Sequence, residues 1–180
     1  MNKTLTLLAV VLATAATSFA GTAVSDSKKV VVAPVQDNLF RAGEVQLDTF
    51  FAGAAGRFNG KNANGLGGGL GVNYFFTRYF GIGVDDTLGG LTIASGKVFD
   101  NLQGNLIARL PIESWHLAPY AIAGGGSTWG NNKAQGNGNV GGGVEYRINH
   151  AVGLFVDSRY IYGNNGLSES LNRVGVRFVF

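Results

Sequence analysis

The chain has 180 residues, 46% hydrophobic and only 14% charged, with a formal net charge of +3, 29 glycines, 3 prolines and no cysteine. That is too apolar for disorder and too poor in proline for a collagen or a low-complexity linker. It also lacks the thiols of a disulfide scaffold or a cysteine-acylated lipoprotein. Beyond the first twenty residues no apolar run approaches the ~18 residues that a transmembrane helix requires, so the hydrophobicity must be spread by alternation.

Residues 1–20 carry Lys3, an apolar stretch from Leu5 to Ala16 and the small-x-small triplet Ser18-Phe19-Ala20. This predicts a secretory signal peptide removed after Ala20, and therefore Sec-type export. The apolar stretch is short and interrupted by threonines, which argues against a membrane anchor. Residues 21–42 are mixed and polar, with Lys28-Lys29 and Pro34, and are expected to form a flexible segment.

From residue 43 the pattern changes to strands, in which alternate side chains take opposite faces. Residues 43–54 set Val45, Leu47, Thr49 and Phe51 against Glu44, Gln46, Asp48 and Phe50. Residues 65–76 set Leu66, Leu70, Val72, Tyr74 and Phe76 against Gly67, Gly69, Gly71 and Asn73. Residues 79–88 set Phe80, Ile82 and Val84 against Gly81, Gly83 and Asp85. Residues 98–110 set Leu102, Leu106, Ala108 and Leu110 against Asn101, Gln103, Asn105 and Arg109. Residues 117–129 are strand-like, but Ala121-Ile122-Ala123-Gly124-Gly125-Gly126 fits either facing. Residues 137–148 set Val140, Val144, Tyr146 and Ile148 against Gly141, Gly143, Glu145 and Arg147. Residues 151–162 set Val152, Leu154, Val156, Tyr160 and Tyr162 against Gly153, Asp157 and Arg159. In the last strand, residues 170–180, Val174, Val176, Phe178 and Phe180 oppose Arg173, Gly175, Arg177 and Val179.

Eight such segments have the length a tilted strand needs to cross a bilayer, about 9–11 residues. Compact turns are expected at 77–78, 111–116 and 149–150, and longer Gly- and Asn-rich loops at 56–64, 89–97, 130–136 and 163–169. Aromatics gather at strand ends. Tyr74, Phe76, Tyr79, Phe80, Trp115, Tyr120, Phe178 and Phe180 fall toward one edge, and Phe51, Phe58, Trp129, Tyr160 and Tyr162 toward the other, as interfacial belts do. The predicted fold is all-β: an eight-stranded antiparallel up-and-down transmembrane β-barrel over residues 43–180.

The eight alternating segments, the run Ala118-Pro119-Tyr120-Ala121-Ile122-Ala123-Gly124-Gly125-Gly126 and the terminal Val176-Arg177-Phe178-Val179-Phe180 resemble the small eight-stranded bacterial outer-membrane barrels of the OmpA-like transmembrane-domain group. The resemblance implies an outer-membrane location, contact with outer-membrane lipids and lipopolysaccharide, a periplasmic position for residues 21–42, and a monomer. It also implies that Phe180 is an assembly signal read by the barrel-insertion machinery. Many members continue into a peptidoglycan-binding domain. This chain ends on its last strand, so a tethering role is not supported.

On this facing Glu44, Asp48, Asp85, Glu145 and Asp157 point into the lumen with Arg109, Arg147, Arg159, Arg173 and Arg177. Buried charges must be paired, and eight strands enclose an interior that side chains can fill. The ten residues therefore read as a structural charge network plugging the barrel. Closure of strand one on strand eight is expected to bring Glu44 level with Arg177 and Asp48 level with Arg173. The alternative functions are a narrow, porin-like channel for small solutes, or a soluble secreted barrel with the faces inverted around an apolar ligand.

Catalytic signals are thin. The histidines, His116 and His150, both fall in turns, where neither serves a rim nucleophile, and no metal-ligand spacing exists. Gly136-Asn137-Gly138-Asn139-Val140-Gly141 matches G-x-G-x-x-G in form but precedes a strand, so a dinucleotide site is excluded. The basic residues are dispersed, which argues against nucleic acid. No enzyme activity, metal or cofactor is expected.

Overall fold

The computed structural model describes residues 38–58, 61–91, 97–130, 133–163 and 167–180. The signal peptide (1–20) and the segment 21–37 lie outside the described residues. Eight strands follow one another: β1 (Glu44–Phe58), β2 (Lys61–Phe75), β3 (Phe80–Leu91), β4 (Lys97–Arg109), β5 (Leu117–Gly130), β6 (Lys133–Arg147), β7 (Val152–Gly163) and β8 (Leu167–Val179). Each pairs antiparallel with its sequence neighbours, and β1 pairs with β8 to close the barrel. Among the described residues the sheet has no edge strand, as a wall facing lipid requires.

The alternation sets the facing. Phe51, Leu66, Ile82, Val84, Leu106, Val140, Val156, Tyr160 and Val174 are exposed on the outside, while Asp85, Gln103, Asn105, Glu145, Asp157 and Arg173 are buried inside. The inverted, soluble arrangement is therefore not the one adopted: Glu145, Arg147, Asp157 and Arg159 are all buried and the apolar side chains face outward. Two belt assignments change. Phe51 stands at the middle of the 15-residue β1, opposite Val174, because the strand runs on to Phe58. Tyr120 points into the lumen, where its hydroxyl donates to Asp157 Oδ2 at 3.0 Å. The ambiguous β5 run resolves with Ala118, Tyr120 and Ile122 inside. Neighbouring chemistry decides it, because the phenol needs a buried partner and Asp157 supplies one.

The connections also differ from expectation. The strands run on through most of the supposed long loops: β1 reaches Phe58 and β2 begins at Lys61, while β5 reaches Gly130 and β6 begins at Lys133. Glycine and asparagine in these hairpins lowered the strand signal, but cross-strand pairing extends the ladder over them. At the opposite end, which holds Asn38 and Phe180, the turns are built by side-chain caps. Thr77 Oγ1 accepts from the amides of Tyr79 and Phe80 at 3.1 and 2.8 Å. Asn149 Oδ1 accepts from those of Ala151 and Val152 at 2.8 and 2.9 Å. A 3₁₀ turn, Glu113–Trp115, is closed by His116 in the left-handed conformation at φ 56°.

Closure has its own register. Asp48 lies opposite Arg177, and Ala52 opposite Arg173. The expected pairing of Glu44 with Arg177 and Asp48 with Arg173 is displaced along the strand. The amide of Phe180 donates to Val45 O at 2.9 Å and that of Val45 to Phe180 O at 3.2 Å, so the last residue meets the second residue of β1. Arg177 thereby sits higher on β1 than equal strand ends would place it.

Candidate functional site in the barrel lumen

All ten charged residues predicted for the interior lie there, buried. Their ion pairs form two clusters. In the lower one, near the turn end, Arg109 Nη1 donates to Glu44 Oε2 at 2.8 Å. Arg147 Nε donates to Glu145 Oε1 at 2.8 Å, and its Nη1 lies 3.4 Å from Glu44 Oε1. Arg177 grips Asp48 with two parallel bonds of 2.7 Å, and its third nitrogen reaches Glu145 Oε2 at 2.7 Å. Asn73 Nδ2 completes Asp48 at 2.9 Å. Three acids meet three bases, so the cluster is neutral.

The upper cluster is neutral too. Arg173 holds Asp157 in a bidentate pair of 2.8 and 2.6 Å, and its Nη1 lies 3.1 Å from Asp85 Oδ1. Arg159 Nη1 donates to Asp85 Oδ2 at 2.8 Å, an oxygen that also accepts from Asn105 Nδ2 at 2.8 Å. Bidentate guanidinium–carboxylate pairs of this kind are the strongest and most directional that side chains make.

Aromatic rings separate the two clusters. The Phe155 ring lies 4.8 Å from the Arg177 guanidinium carbon and 5.7 Å from that of Arg173, and Phe50 lies 4.5 Å from Arg173. The rings of Phe50 and Phe155 meet edge to face at 6.3 Å. Gly175 makes room for both: a Cβ there would sit 2.7 Å from Phe50 Cβ and 2.8 Å from Phe155 Cε1. Alternation alone places Phe50 inside, whereas the role of Phe155 as a spacer shows only in the structure. Its inward facing is signalled by the β7 pattern, where Gly153, Asp157 and Arg159 share its parity.

Above the upper cluster the lumen divides. One side is an amide layer, in which Asn139 Nδ2 donates to Gln103 Oε1 at 2.7 Å and to Asn105 Oδ1 at 3.1 Å, and Gln103 Nε2 donates to Asn101 and Asn137. The other is apolar, with Ala52, Ala54, Ile161, Leu167 and Leu171 packed on Phe50 and Phe155. Leu167 falls in an expected loop yet opens β8, and Leu171 shares the inward parity of Arg173. The histidines stay in the turns: the His116 carbonyl accepts from the Arg147 amide at 2.8 Å while its ring stacks on Tyr146 at 6.3 Å, and His150 lies in the neighbouring turn. Phe180 is exposed on the outer face.

No protein-family model matches the chain, and no curated protein matches it in sequence. Its architecture does have counterparts among solved structures. Neisserial surface protein A, NspA, superposes with a TM-score of 0.60 at 19% identity, covering 76% of this chain and 96% of that one. The chain is an outer-membrane-type β-barrel by fold. The N-terminal barrel domain of Pseudomonas aeruginosa OprF gives a TM-score of 0.58 at 19% identity, covering 78% of this chain and 99% of that domain. Ail, the attachment invasion locus protein of Yersinia pestis, gives 0.57 at 15% identity, covering 77% and 99%. At these identities the likeness is one of fold.

Proposed function

We propose that this chain is an integral outer-membrane protein with a structural role, its lumen filled by paired charges rather than open to solutes. The apolar exterior supports residence in lipid. The observation that carries the filled lumen is the pair of neutral ionic clusters with Phe50 and Phe155 between them, because an aqueous pore would leave its charges solvated. The chain acts as a monomer, meets lipopolysaccharide and phospholipid through its outer face, and presents short hairpins at the external end. No catalytic role is proposed.

Planar-bilayer recording tests this reading. Refolded wild-type protein is expected to give no stable conductance steps; a reproducible unitary conductance would replace it with the narrow-channel alternative. Phe180 is proposed as the assembly signal. Deleting it is expected to lower the folded, heat-modifiable fraction recovered from outer membranes while leaving synthesis and export unchanged. Equal recovery of the two proteins would remove that role.

A further inference from the structure

Phe40 carries no signal in the sequence, and residues 38–42 belong to the segment expected to be flexible. The structure packs them across the turn end of the barrel. Phe40 is 0% exposed, and its ring lies 4.6 Å from the Arg147 guanidinium carbon and 5.2 Å from that of Arg109. Its neighbours are fastened through the backbone. Arg147 Nη1 donates to Leu39 O at 2.9 Å, and Arg109 Nη2 donates to Arg41 O at 3.1 Å. The Leu39 amide donates to Glu113 Oε2 at 3.1 Å and the Arg41 amide to Glu44 Oε1 at 2.7 Å. Glu113 is itself held by Arg78 at 2.8 Å.

We propose that the turn end of the barrel is a docking site for the chain's own residues 38–42, and that Phe40 is the stopper that seals the lumen there. The chemistry is specific. Arg109 and Arg147 each spend part of their donor capacity on Glu44, and each turns a guanidinium face to the Phe40 ring, Arg109 being sandwiched between it and Phe75 at 3.8 Å. An aromatic ring satisfies that face with its π electrons, and the flanking carbonyls take the remaining N–H groups. Four anchors on four separate elements bind this one short segment: Glu44 on β1, Arg109 on β4, Glu113 on the 3₁₀ turn and Arg147 on β6. A segment held so tightly by side chains that are also part of the lower charge cluster works as a cover for that cluster. This extends the filled-lumen proposal but fails separately from it, because the stopper can be absent while the ionic clusters still block conductance.

The absence of cysteine supplies a clean probe. Gln46 is fully buried, one inward position above Glu44, and its Nε2 donates to Glu44 Oε2 at 3.2 Å. The full-length protein carrying Gln46→Cys, folded in micelles, is treated with a charged thiol reagent and separately with trypsin. With Phe40 in place, Cys labelling and cleavage after Arg41 are expected only after denaturation. Adding Phe40→Ala is expected to permit both in the folded protein, with the heat-modifiable gel shift confirming that the barrel is intact. Should Phe40→Ala fail to fold, Glu113→Ala removes the Leu39 anchor from a turn outside the barrel wall and is expected to release the docked backbone, and with it the Arg41–Ala42 bond, in the same way. Cleavage or labelling with Phe40 present would overturn the proposal. Cleavage of a folded variant without labelling would also overturn it, because the segment would then be attached without sealing anything.

Discussion

Replacing Arg177 with Met is expected to destabilise the refolded barrel by about 3–5 kcal/mol, the cost of leaving buried charges without their partner. Arg177 is buried and satisfies two carboxylates at once, Asp48 through a bidentate pair and Glu145 through its remaining nitrogen. Methionine fills a similar volume and preserves contact with Phe155, so the loss isolates charge from packing. Urea titration of protein folded into vesicles, followed by tryptophan fluorescence, measures it. The cluster arrangement adds a sharper expectation. A double-mutant cycle on Asp48 and Arg177 should give a coupling of about 1 kcal/mol or more, whereas Asp48 with Arg173 should be additive within about 0.5 kcal/mol. These two arginines face the same lumen, four residues apart on β8, but belong to different clusters. Equal coupling in the two cycles would mean that the lumen holds a single continuous network.

On the outer face, Val156→Arg is expected to cost about 2–4 kcal/mol in vesicles, as charged substitutions near the midplane of a lipid-facing barrel wall do. Val156 is 57% exposed and stands between Val144 on β6 and Val174 on β8, midway between Val152 and the tyrosines Tyr160 and Tyr162. Leu106, 67% exposed on β4, should behave alike. Ile148→Arg, at the first residue of the 148–151 turn, should cost only about 0–1 kcal/mol because the charge reaches the interface. The same substitutions on a water-facing wall would fall within about 0.5 kcal/mol of neutral, as surface changes usually do. A flat profile across Val156, Leu106 and Ile148 would therefore reject a bilayer around this barrel.

How far the site was legible follows from which signals are local. Period-two alternation is a property of each strand alone, so Glu145 and Arg147, two residues apart on β6, could be placed on one face from their own segment. The same rule placed Asp48, Arg173 and Arg177 inside without knowledge of their partners. It also contained Phe155, whose parity matches Asp157, although an aromatic between two arginines has no recognisable motif. The β5 run of alanine and glycine carried no contrast between its faces, so only the reach of Tyr120 to Asp157 settled it.

By itself the sequence determined the architecture: eight alternating segments, an apolar outer face, a charged inner face, and glycines where bulky inner side chains need space. Tertiary structure alone decided the partners. Which inward acid meets which arginine depends on strand tilt and on the stagger at closure, quantities that belong to the closed sheet and to no single strand. Hence Asp48 meets Arg177 and not Arg173. The docking of Phe40 lies further still from any local signal. One aromatic in a short polar segment has no periodicity, and its burial depends on Arg109, Glu113 and Arg147, residues that come together only when the barrel closes.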